Sequence, residues 1–164
     1  MNLLFDFTVD KEKSTIYVTR EFAADLDLVW DAFTKAEILD RWMSIKPWRA
    51  ETKELTFHEG GRWLYAMVSP ENVYRWTVAE FIEIRPKQSF TTKNFFCDEN
   101  GAAMETGFSH SITTHSFKPG NGITTVQIEK KMASLAELEQ FVALGYKEGT
   151  MLVMNNLDEF FAGN

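Results

Sequence analysis

From residue 15 to residue 22 apolar and polar side chains alternate. Ile16, Val18, Arg20 and Phe22 fall on one side, and Tyr17, Thr19 and Glu21 on the other, the period of a strand with one buried face. The period then changes. Leu26, Val29, Trp30 and Phe33 recur at three and four, predicting a helix over 24–34, with Asp25 and Asp27 at its positive end. A second short helix over 36–43 carries Ile38, Leu39 and Trp42, and Pro47 ends it. Strand-like stretches follow at 48–57, 62–68, 73–84, 89–97, 107–117 and 123–132. Gly60-Gly61, Pro70-Glu71-Asn72, Pro86, Asp98-Glu99-Asn100-Gly101 and Pro119-Gly120-Asn121-Gly122 separate them as turns.

The last stretch is different. Ser134-Leu135-Ala136-Glu137 fits a capping box, in which the serine accepts from the Glu137 amide and the glutamate reaches back. Leu135, Leu138, Phe141, Val142, Gly145, Gly149 and Leu152 then share one face of a helix over 134–161. At ~1.5 Å per residue it would span about 40 Å, enough to cross a sheet. Gly145 and Gly149 each cost about 1 kcal/mol against alanine inside a helix. They leave two readings open: a break near Gly145 giving two helices, or the floor of a pocket between helix and sheet. The order of strand, two helices, six strands and a long helix predicts an α+β fold, with an antiparallel sheet whose concave face meets the last helix. Residues 1–13 read as an N-terminal extension of a single domain over 1–164.

Composition sharpens this picture. The chain has fourteen Phe, five Trp and four Tyr in 164 residues, more ring than a small core usually holds. Trp63, Tyr65, Met67, Tyr74, Trp76, Phe90, Phe96 and Phe108 occupy alternating strand positions, where they could face the helix. With Trp42, His110, Phe141, Gly145, Gly149 and Leu152 they make the predicted lining of a hydrophobic cavity. Either the rings pack against the helix or they wall a pocket; the two small residues opposite them tilt the reading toward a pocket. The net charge is −7, with dispersed basic residues, which argues against a nucleic-acid or anionic-membrane role. Cys97 is the single cysteine, so no intramolecular disulfide and no thiolate metal cluster is expected. Met1 to Asp6 lack a cationic flank and a long apolar run, so no signal peptide or membrane insertion is expected, and a reducing cytoplasm is the natural location.

Reactive chemistry is sparse. His110 and His115 are five apart in one predicted strand and would point oppositely, and His58 sits beside a turn, so no metal site and no cofactor is expected. Cys97 precedes an acidic turn, which raises a thiol pKa. Gly60-Gly61 lacks the Lys-Ser/Thr of a phosphate loop. His110 and Glu148 are the only candidate proton carriers, His110 because it alternates with Phe108 and Ile112, Glu148 because it adjoins Gly149. Each also has a plain reading, as a core histidine and a surface charge. Arg75, between Tyr74 and Trp76, is expected to point to solvent.

Several short pieces, in order along the chain, resemble the START-like (SRPBCC) superfamily, and within it the bacterial homologues of the activator of heat-shock-protein-90 ATPase. They are Arg20-Glu21-Phe22, Val29-Trp30-Asp31-Ala32, Asp40-Arg41-Trp42, Gly60-Gly61-Arg62-Trp63, Glu83-Ile84-Arg85-Pro86, Asp98-Glu99-Asn100-Gly101 and Gly145-Tyr146-Lys147-Glu148-Gly149. The resemblance implies a helix-grip fold, a curved antiparallel sheet of six to seven strands around a long C-terminal helix with a cavity between. The chain departs from the family pattern at Ala24-Asp25, Met43 and Thr150, so a relative's ligand does not carry over. Three functions follow as expectations: a binding or carrier module for a hydrophobic small molecule, as monomer or homodimer; an enzyme of the aromatase/cyclase or hydrolase kind using the same pocket; and a chaperone-regulating interaction protein using an outer surface. Two or more titratable groups converging in the cavity would favour the enzyme.

Overall fold

The alternation at Ile16, Val18 and Phe22 becomes the buried face of a strand in which all three side chains are fully covered. The computed structural model describes residues 3–163. Its elements run β1 Phe5–Asp10, β2 Thr15–Phe22, α1 Leu26–Thr34, α2 Ala36–Trp42, β3 Arg49–Leu55, β4 Arg62–Val68, β5 Tyr74–Arg85, β6 Ser89–Cys97, β7 Ser111–Gly120, β8 Ile123–Met132, α3 Leu135–Ala143 and α4 Tyr146–Ala162. Eight strands form one sheet in the order β1-β2-β8-β7-β6-β5-β4-β3, and every neighbouring pair is antiparallel. With its C-terminal helix this is the α+β helix-grip arrangement, with one strand more than expected.

The extra strand corrects the reading of residues 1–13. Met1 and Asn2 lie outside the described residues, but Phe5–Asp10 pairs with β2 along its whole length. Phe5, Phe7 and Val9 pack on the core, and the charged residues after Asp10 form a tight turn rather than a tether. The predicted strand over 107–117 starts later, at Ser111, and ends at Gly120. Asn121 and Gly122 both have positive φ, +54° and +76°, as a two-residue hairpin turn of the primed type needs.

The long C-terminal helix is two helices. Ser134 Oγ accepts from the Glu137 amide at 3.1 Å, but the Glu137 carboxylate turns away to Ser109, so half of the capping box forms. α3 ends at Ala143, and Gly145, at φ +97°, is the N-cap of α4. An L-residue disfavours that conformation, so the break is encoded at this glycine. Among the described residues no helix is long and apolar enough to cross a membrane.

α1 and the C-terminal half of α4 close one end of the concave face. Trp30 sits edge-on to Phe57, Phe90 and Phe117, with centroids 5.8, 5.8 and 5.0 Å away. Phe33 meets Trp42 at 5.0 Å and Phe117 at 5.5 Å. The buried Arg20 fixes α4 to β2: its guanidinium pairs with Asp158, also donates to the Glu21 carbonyl, and lies 4.8 Å from the Phe22 ring centre. Asn156 holds the link after α2, its amide donating to the Ser44 carbonyl at 2.7 Å. Trp42 is anchored by its indole N–H, which donates to the Ala32 carbonyl at 2.8 Å.

Candidate functional site: a ring-walled cavity between sheet and helices

The other end of the concave face is not filled. A cavity of about 580 Å³ lies between β4–β8 and the helices α2, α3 and α4. Strand register decides which side chains enter it. Trp63 pairs with Ala79, Tyr65 with Thr77 and Met67 with Arg75, and directly opposed residues of antiparallel strands share a face. Trp63, Tyr65, Met67, Thr77 and Ala79 therefore wall the cavity together. Trp63 stacks on Tyr65 with centroids 3.7 Å apart, and its indole N–H donates to Thr52 Oγ1 at 3.0 Å.

Of the predicted lining, Trp42, Trp63, Tyr65, Met67, Phe90, Phe96, Phe108, His110, Phe141 and Gly149 border the cavity. Four do not. Tyr74 and Trp76 lie on the opposite face of β5, where Trp76 packs with Leu64, Val78 and Cys97 and half-exposed Tyr74 stacks on it. The parity of β5 is thus the reverse of the expected one. Arg75 shares the face of Met67 and lies 5.8 Å from the ring of Trp48, a wall residue at the cavity's edge. Gly145 serves the helix break, and a Cβ there would meet nothing within 4 Å. Leu152 is 49% exposed and points away. Gly149 does face the space: a Cβ on it would first touch Ile45 Cδ1 at 3.6 Å.

The two candidate proton carriers are displaced as well. Glu148 is exposed and outside the lining. His110 borders the cavity but is exposed, just before β7 begins. Because β7 starts at Ser111, its inward residues are Ser111, Thr113 and His115. His115 stacks on Phe90 with centroids 4.7 Å apart. Its Nδ1 is buried with no hydrogen-bond partner. Burial, and then the nearby charge of Lys130, push its pKa down to about 3, so the imidazole is neutral at neutral pH.

Lys130 is the residue that sequence reasoning passed over, although its signal was present: it alternates with Ile128 and Met132 on the inward side of β8. Its ammonium donates to Ser111 Oγ at 3.0 Å and to Thr113 Oγ1 at 3.4 Å, and sits 5.5 Å from the Phe141 ring centre. Burial lowers its pKa to about 8. Glu137 is the other charged wall residue. Its carboxylate accepts from both the amide and the hydroxyl of Ser109. Burial raises the Tyr65 phenol to about 12, partly offset by a hydrogen bond with Thr77. It raises Tyr146 too, against a hydrogen bond with Thr150. Cys97, outside the cavity, is pushed up to about 11 by burial and by Asp98, the opposite of an activated thiol. Among the described residues no three His, Cys, Asp or Glu side chains are grouped to hold a metal ion.

The model of the family described as activator of Hsp90 ATPase homolog 1-like protein matches residues 23–162. The chain belongs to this family. Solved structures share its fold. A Mycobacterium smegmatis protein is 23% identical, with 99% of each chain covered and a TM-score of 0.86. An Arthrobacter aurescens protein is 22% identical, covering 97% of this chain and 92% of that one, at 0.88. A Rhodobacter sphaeroides protein is 18% identical, covering 99% and 100%, at 0.86. No curated protein matches the chain. The family's START-like fold accounts for the curved sheet and the helices across it.

Proposed function

We propose that this protein binds and carries a hydrophobic small molecule in the cavity between its sheet and α4. The observation that carries the reading is the cavity itself: about 580 Å³, within the roughly 300–1,000 Å³ range of small-molecule sites. It is walled by stacked rings and a few polar groups. Burying an aromatic ligand there removes apolar surface from water on both partners, about 25 cal/mol for each Å².

The neutral fluorophore N-phenyl-1-naphthylamine tests this. We expect one probe bound per chain, with enhanced emission, and loss of that signal in Gly149→Phe, whose ring would grow into the cavity beside Ile45. Absence of binding to the wild type, or undiminished binding to a folded Gly149→Phe, overturns the proposal.

A second reading has one observation behind it. His115 and Lys130, on adjacent strands, converge on the same space, and Lys130 carries a pKa of about 8. An enzyme using this pocket would move its proton through Lys130, because His115 is too weak a base at neutral pH. Lys130 is, however, held by two hydroxyls as a donor, which fits the positioning of a ligand better than turnover.

A further inference from the structure

We propose that the ligand of the cavity is an amphipathic monocarboxylate, its head held by Lys130 and its apolar body laid against the ring wall. This rests on the cavity being a binding site. Among the described residues Lys130 is the only cationic side chain in the wall, and no carboxylate lies within ion-pair distance of it. Glu137, the wall's one acid, is engaged by Ser109. The lysine is therefore a cation in an apolar cavity without a counter-charge, an arrangement that costs stability unless an anion joins it.

The local hydrogen bonding is suited to that anion. An ammonium has three donors, and Lys130 gives one each to Ser111 Oγ and Thr113 Oγ1. The third stays available. Both hydroxyls accept from the lysine, so their own protons are left for an acceptor brought by a ligand. Ser111 and Thr113 are 7% and 5% exposed, so the donors are held in place. A carboxylate offers two oxygens to these converging donors and neutralises one charge, whereas a phosphate dianion would leave an excess charge buried. Phe141, 5.5 Å from the ammonium, puts a ring beside the head group, where an aryl or alkyl body would begin.

The test is displacement of N-phenyl-1-naphthylamine by 2-naphthaleneacetate and by its neutral analogue 2-naphthaleneethanol. In the wild type the carboxylate should compete at about a tenfold lower concentration, the gain from a charge-assisted hydrogen bond. In Lys130→Met the ratio should collapse to about one. Ser111→Ala/Thr113→Val keeps the lysine, should narrow the ratio, and gives an independent result if Lys130→Met does not fold. Equal competition in the wild type, or a ratio unchanged in the folded variants, overturns the proposal while leaving the cavity reading intact. Failure of the probe to bind the wild type overturns both.

Discussion

The two ends of the concave face have equally aromatic walls, yet one is solid and the other hollow. At the closed end Phe57 and Phe117 meet Trp30, and Phe33, Trp42 and Phe90 form the boundary, packing on that cluster on one side and bordering the cavity on the other. At the open end Trp63, Tyr65, Phe96 and Phe108 stand on the sheet side, with Phe141 and Tyr146 4.7 Å apart across from them. The difference lies in what the helices present. α1 offers Trp30 and Phe33, while α4 sets the small or slender Gly149, Thr150 and Val153 between Tyr146 and Met154. Ring content therefore sets the walls of such a fold, and side-chain size on the facing helix sets whether they enclose space.

Truncation should separate the two ends most strongly. Trp30 is 6% exposed and touches three rings, so Trp30→Ala is expected to cost about 3–5 kcal/mol in urea denaturation. Phe141→Ala should cost less, on the order of 1–2 kcal/mol, because one side of that ring already faces the cavity and has fewer contacts to lose. Equal losses would mean that the open end is as tightly packed as the closed one.

Charge is the next contrast. The closed end buries Arg20 with a partner, Asp158; the open end half-buries Lys130, with no acidic partner among the described residues. Lys130 falls from 10.5 to about 8 on folding. Between those values the unfolded chain holds a proton that the native state has released, so this group makes stability rise with pH. His115, lowered from 6.5 to about 3, acts in the same direction over its own, more acidic window. Cys97, Tyr65 and Tyr146 are raised and act oppositely in the alkaline range. The wild type should therefore be compared with Lys130→Met across pH 6 to 10. The variant is expected to be more stable at pH 7, on the order of 1–3 kcal/mol, with the gap closing as pH rises from about 8 toward 10.5. A gap independent of pH would show that the lysine's charge is already compensated.

These contrasts also mark what was readable beforehand. Strand periodicity located β2 and β4 at their observed bounds, since alternation depends only on side-chain chemistry. The same rule could not say which face of β5 turns inward. Tyr74 and Trp76 are larger and more aromatic than Thr77 and Ala79, yet pairing of Tyr65 with Thr77 fixes the parity against them. At β7 the error was one of strand start. Counting from Phe108 puts His110 inward, whereas the strand begins at Ser111 and brings in His115. Lys130 was legible as a charge on an inward register between Ile128 and Met132, and attention to rings hid it.

The smallest effects come from the glycine pair, and their signs should differ. Gly145 has φ +97° and open space around a Cβ. Gly145→Ala should therefore cost about 1–2 kcal/mol from backbone conformation alone, without any clash. Gly149 lies within α4, where a Cβ would make ordinary contact with Ile45 at 3.6 Å. Gly149→Ala should then stabilise by up to about 1 kcal/mol, the helix-propensity difference. Both shifts can be read from denaturation midpoints of otherwise identical proteins. If Gly149→Ala is destabilising instead, the helix approaches Ile45 too closely to admit a methyl group. The open end would then owe its glycine to tight packing, and the contrast with the closed end would narrow to the rings alone.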